Sequence, residues 1–228
     1  MKIFSVRRVV PAALAALGIA GLGCNDIGSP TRPAPYEWRL IIPAATGGLD
    51  SLTLRWPSDL LPVRYWVEDS LNLPAHMQTA ITMWEEAFLY GEWKGTIVSD
   101  STAADVIVRL APAPAKPVVM MRLQALRPEC RGATDIDTLD TRHELALPIR
   151  MYLDPRFTPD PEDDALATCL VVTAAHEVGH SLGLIQHAGD PSDIMFGDPV
   201  TEELSARDIR TAEAIYHLPP DIVPVRDP

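Results

Sequence analysis

Hydrophobic residues along this chain recur at two spacings. Alternation marks short strands, and residues three or four apart mark helices. Segments 36–42 and 49–56 read as two strands around a Thr46-Gly47-Gly48 turn. Val63, Tyr65 and Val67 alternate with Arg64 and Trp66 and predict another. Pro74 then suits the first turn of a helix, where a missing N–H costs nothing. Behind it, Met77, Ala80, Ile81, Trp84, Ala87 and Phe88 form a helical stripe that reads as core. Segments 95–98, 105–110, 117–123 and 145–153 read as further short strands, and 127–141 as an irregular loop. The run 167–175 is almost wholly apolar, so the helix predicted over 165–182 should be buried on most sides. Acidic residues at 160–164 introduce it, where they favour the positive end of its dipole. A last helix is predicted over 205–216, with Ser205 and Asp208 spaced as a capping pair. Beyond His217 the chain is proline-rich and is expected to fray.

The first residues follow a different rule. Lys2, Arg7 and Arg8 precede an apolar run over 9–23, which is the layout of a secretory signal. The run is short for a membrane span, although a short transmembrane anchor is the competing reading. Cys24 follows Leu22 and Gly23 in a pattern that resembles a bacterial lipoprotein cleavage site, with Gly21 where leucine is commonest. On that reading Cys24 carries lipid and anchors an extracytoplasmic protein to a membrane; otherwise the chain is simply secreted. The proline-rich segment 29–35 would then be a semi-rigid tether.

Composition narrows the picture further. The 228 residues suffice for one ordinary domain with flanks, and 47% hydrophobic residues can fill a core. A net charge of −12 argues against a nucleic-acid partner, which would want a basic face. The acidic surface otherwise serves solubility, and a monomer is expected. Cys130 and Cys169 are a disulfide candidate in an oxidising compartment, with two unpaired thiols as the alternative. Asp135, Asp137 and Asp140 match no calcium-loop spacing, so a structural calcium is possible but unsupported and a solvated loop is the better reading.

The chemistry concentrates in one segment, His176-Glu177-Val178-Gly179-His180-Ser181-Leu182-Gly183-Leu184-Ile185-Gln186-His187. Residues four apart share a helix face, so His176 and His180 can present ring nitrogens to one ion. Neutral imidazole is a good zinc ligand. Glu177 lies beside the metal but outside its coordination sphere, where it can act as general base toward water. A catalytic zinc usually takes three protein ligands. Gly183 can end the helix sharply and let the chain return with His187.

These residues, with Met195 after the Asp190-Pro191-Ser192-Asp193-Ile194 turn, resemble the metzincin proteases and, among them, the matrixins. That family uses HExxHxxGxxH followed by a methionine turn beneath the metal. His176, Glu177, His180, Gly183 and Met195 match in place. Segment 56–67, the Trp84 helix, the strand at 104–108 and the closing helix up to Tyr216 look like the family's other parts, so the resemblance covers roughly 50–218. It implies an α+β fold of zincin type: a mixed twisted sheet of about five strands, an active-site helix, a Met-turn and a C-terminal helix. Together with the leader and Cys24, the expected organisation is a signal at 1–23, a lipidated tether at 24–49, a metalloprotease domain at 50–218 and a tail at 219–228. The implied activity is zinc-dependent endopeptidase action on extracytoplasmic proteins or peptides, with one catalytic Zn2+ and Glu177 as base. Substrate would lie extended along the edge strand at 117–123, and 197–200 would wall the pocket beyond the scissile bond. Met195 would be an apolar floor, and Phe196 offers no fifth ligand.

Two departures from the family stand out. Gln186 occupies the position of the third histidine and His187 comes one residue later. No cysteine-bearing propeptide is visible. Two rival readings follow: a zinc peptidase whose third ligand is Glu202 or Glu203, and a catalytically silent surface lipoprotein that uses a zincin fold for binding. His76, His143 and His217 stand alone and read as ordinary histidines.

Overall fold

A computed structural model of the chain describes residues 33–44, 47–112, 121–122, 130–136, 139–140, 142–156 and 164–226. The leader, Cys24, the tether up to Arg32, most of the 117–123 strand, Asp137 and the acidic residues 160–163 lie outside the described residues. Among the described residues no helix is long and apolar enough to cross a membrane.

The first strands, β1 (Leu40–Pro43) and β2 (Leu49–Leu52), form an antiparallel hairpin shorter than the alternation predicts. The main sheet has six strands in the order β4-β3-β5-β9-β7-β6. These are β3 (Val63–Val67), β4 (Gly95–Val98), β5 (Val106–Leu110), β6 (Met121–Arg122), β7 (Cys130–Asp135) and β9 (Ile149–Pro155). The first four in that spatial order run parallel; β7 and then β6 are added antiparallel. The register aligns Val67, Val108, Met151 and Thr134 across one face. All four are buried, so one side of each pleat faces the helices.

Helix α1 (Leu73–Glu86) buries Leu73, Met77, Ala80, Ile81 and Trp84, the stripe its spacing predicts. It packs on α2 (Asp164–Leu182), which is buried continuously from Val172 to Leu182. Trp84 Nε1 donates to the Ala175 carbonyl at 2.7 Å, tying the two helices. Helix α3 (Ala206–Tyr216) starts at a full capping box: Ser205 Oγ accepts from the Asp208 N–H and the Asp208 carboxylate accepts from the Ser205 N–H.

Three expectations are corrected. The strand expected over 145–153 is two strands, β8 (Glu144–Ala146) and β9, parted at Leu147 and Pro148. Pro148 has no N–H for a ladder. The stretch expected to be an irregular loop contains β7, paired along its length with β9. Its Gly132 and Ala133 have little strand propensity, so pairing with a neighbour decides their state. Asp135 is therefore buried in that strand rather than solvated, while Asp140 is an exposed turn residue that accepts from the Arg142 and Glu144 N–H groups. The tail expected to fray instead returns: β10 (Val223–Val225) pairs with β8, and the Ile222 N–H donates to the Thr53 carbonyl at 3.0 Å. Arg226 then joins Arg64 on the fully buried carboxylate of Asp105.

Candidate metal centre

Helix α2 carries His176 and His180 on one face, and its end delivers a third ring. Gly183 closes the helix at φ 129°, a conformation open to glycine, and a Cβ there would overlap the Leu54 carbonyl oxygen. Past it, the Ile185 and Gln186 N–H groups donate to the Trp38 carbonyl at 2.7 and 3.3 Å. The Gln186 amide donates outward to the Arg39 carbonyl at 3.1 Å. With Gln186 turned to the N-terminal segment, the next residue swings inward, and Ala188 is held by an N–H···O=C bond to Met195 at 2.8 Å. The loop thus absorbs the one-residue departure: the rings of His176, His180 and His187 lie 4.6 to 5.2 Å apart, centre to centre.

One ligand nitrogen from each of these histidines lies within 4.8 Å of the others. The tautomers follow from the second ring nitrogens. His176 Nδ1 faces the Ile194 carbonyl at 2.8 Å and His180 Nδ1 the Leu184 carbonyl at 2.6 Å. A carbonyl only accepts, so both Nδ1 atoms carry the proton and both Nε2 atoms present lone pairs. The Nε2 atoms of all three histidines are buried with no partner among the described residues. Burial lowers the affinity of each ring for a proton: His176 falls to about 3, with His187 nearby adding to the effect, His180 falls well below its usual value, and His187 is also lowered. Three neutral, convergent, unpartnered imidazoles are the donor set of a divalent transition metal, and their buried lone pairs are otherwise a cost to the fold. The cluster can hold a metal ion. Among the described residues it is the one group of three or more histidine, cysteine or acidic side chains so arranged. Glu202 and Glu203 are exposed and outside it; the half-buried His76 and His143 and the exposed His217 lie outside it too.

Glu177 is fully buried next to the cluster. Its Oε2 accepts from Thr134 Oγ1 at 2.6 Å, and its Oε1 has no partner among the described residues. Burial raises the carboxyl to about 8, against the pull of the Thr134 hydrogen bond. Met195 lies beneath, packed on Gly179 so closely that a Cβ at 179 would overlap its sulfur. The turn that carries it is held from α3. Asp193 accepts from Ser205 Oγ at 2.6 Å and pairs with Arg207. Asp208 accepts from the Ile194 N–H and from the Tyr36 hydroxyl, both at 2.8 Å. A run of hydrogen bonds therefore leads from Tyr36 through Asp208 and Ile194 to the ring of His176. Beside α2, Val172, Thr173, Asp198, Pro199 and Val200 border a cavity of about 340 Å³. Cys130 on β7 and Cys169 on α2 are joined as a disulfide, with Cα atoms 5.9 Å apart.

Sequence reasoning did not single out Thr134, Gly132, Tyr36 or Asp193. Asp208 was visible only as a helix cap, and Thr134 lay in a stretch without strand pattern.

No protein-family model matches the chain. A 52-residue stretch is 48% identical to matrix metalloproteinase-26 of Homo sapiens, covering 21% of this chain and 20% of that protein. The match thus takes in about a fifth of that relative's length. It is a partial likeness to a matrix metalloproteinase, alongside a mixed α/β fold and a three-histidine cluster compatible with a metzincin-like arrangement.

Proposed function

We propose that this protein is a zinc-dependent endopeptidase of metzincin, matrixin-like type that hydrolyses extracytoplasmic proteins or peptides. The observation that carries the reading is the set of three buried, unpartnered Nε2 atoms beside a buried carboxylate with one unpartnered oxygen. His176, His180 and His187 would hold the ion, which when bound supplies Lewis acidity toward a carbonyl and toward water. The chain's own residues do the rest. The Ile194 and Leu184 carbonyls fix the tautomers and ring planes of two ligands. With the cation bound, its charge would draw the Glu177 carboxyl down to the ionised form, and Oε1 would then take a proton from an attacking water and return it to the leaving amine nitrogen. Met195 and Trp84 wall the underside of Gly179 and keep that side dry.

The leader and Cys24 support an extracytoplasmic location, with a lipid anchor or simple release. The Cys130–Cys169 disulfide supports the same, since such bonds persist in oxidising compartments.

The test is zinc content of the purified protein together with cleavage of casein, for wild type, His187→Ala and Glu177→Gln. The expected result is one zinc and chelator-sensitive cleavage in the wild type. His187→Ala should lose both, and Glu177→Gln should keep zinc and lose cleavage. Full activity in Glu177→Gln would overturn the assignment. Zinc without turnover on any protein substrate would favour a binding role.

A further inference from the structure

We infer that Thr134 is a positioning residue for Glu177, acting with Gly132 through a strand clamped to the active-site helix. The inference rests on the protease reading above.

Side chains two apart on a strand share a face. Cys130, Gly132 and Thr134 therefore all look from β7 toward α2, and each meets a particular residue there. Cys130 is bonded to Cys169. Gly132 lies against Glu177: a Cβ at 132 would overlap Oε1 and sit 2.7 Å from both Cγ and Cδ. Thr134 Oγ1 reaches Glu177 Oε2 at 2.6 Å and the Glu177 carbonyl at 3.2 Å. The two elements keep step. Four strand residues from 130 to 134 rise about 13 Å and eight helix residues from 169 to 177 rise about 12 Å. The disulfide thus locks the register in which Thr134 falls opposite Glu177.

The consequence for Glu177 is a single orientation. One oxygen is occupied by the only hydrogen that the threonine hydroxyl has to give. The other oxygen has no partner among the described residues, and it fits only because residue 132 has no side chain. A glutamate side chain has three rotatable bonds, and without these contacts its carboxylate would sample other placements. Both hydrogen bonds of Thr134 Oγ1 among the described residues go to Glu177, so its effect runs through Glu177.

The experiment compares Thr134→Val, Thr134→Ser and Gly132→Ala with wild type by zinc stoichiometry, by kcat and KM on a protein substrate, and by crystal structures of the metal-free proteins. Thr134→Val keeps the shape and removes the donor. It should lower kcat by about 10²-fold, within the range general-base catalysis supplies, with KM and zinc content little changed. Thr134→Ser should restore most of the rate, and Gly132→Ala should lose it as Thr134→Val does. In the crystal of Thr134→Val the Glu177 carboxylate should leave its wild-type position. Wild-type kcat in Thr134→Val would overturn the inference, and so would loss of zinc as its main effect. If the wild type cleaves no protein, the protease reading falls separately. The crystal structure then decides this one: a displaced carboxylate supports it and an unmoved carboxylate overturns it.

Discussion

Replacing Glu177 by glutamine should change the stability of the metal-free protein in a pH-dependent way. Burial holds this carboxyl at about 8 rather than 4.5. The folded value lies above the unfolded one, so the fold binds the proton more tightly. The stability this group contributes is intact below about pH 4.5 and is lost as pH rises through about 8. Each pKa unit corresponds to about 1.4 kcal/mol, so the penalty is under about 1 kcal/mol near pH 5 and about 4 kcal/mol near pH 8. Glutamine has nearly the same shape and no charge to desolvate. Its NH2 group adds a pH-independent cost of about 1 to 3 kcal/mol where it finds no acceptor. The difference between variant and wild type should therefore move by about 3 to 4 kcal/mol between those two pH values, in the variant's favour at the higher one. The histidines titrate in both proteins and largely cancel. Urea unfolding in the presence of a chelator at the two pH values measures it. An equal difference at both would refute a buried carboxyl that prefers to stay protonated.

Four other outcomes are expected. His187→Ala should strip zinc after dialysis while Gln186→Ala retains it, because the Gln186 amide is engaged with Arg39; atomic absorption decides. With His176 held near 3 and His180 and His187 also lowered, the metal-free fold should lose stability as pH falls from 6.5 toward 3; a melting temperature flat over that window would contradict this. Asp208→Ala strips partners from the Ile194 and Ser205 N–H groups and the Tyr36 hydroxyl, and should cost about 2 to 4 kcal/mol by denaturant unfolding, against about 1 for Tyr36→Phe. Removing the Cys130–Cys169 bond, which spans 39 residues, should cost about 3 to 4 kcal/mol, read as a drop in urea midpoint that added reductant does not deepen.

Local rules carried much of the chain. The stripe from Met77 to Trp84 and the apolar run before His176 are visible one turn at a time, because a helix satisfies its own backbone and shows its core as a period. The capping box at Ser205 and Asp208 is equally local. So is the histidine spacing: two ligands four apart need only the helix between them. The strands at 63–67 and 95–98 also fall where alternation places them.

What lay beyond reach depended on distant partners. β7 is a strand because β9 offers it a ladder, not because Gly132 and Ala133 favour one. The tail returns because Asp105, buried between Arg64 and Arg226, needs cations, and Arg226 comes from 121 residues away. On the loop before His187, segment 33–42 is met at the backbone carbonyls of Trp38 and Arg39, which any residues would supply, so no side chain of that segment marks this contact in the sequence. By itself the sequence determined which residues can bind a metal, and which helix holds two of them. Only the tertiary structure decided that Gln186 turns out and His187 turns in, and that Thr134 meets Glu177. Those choices rest on hydrogen bonds between elements far apart in the chain, and no local period records them.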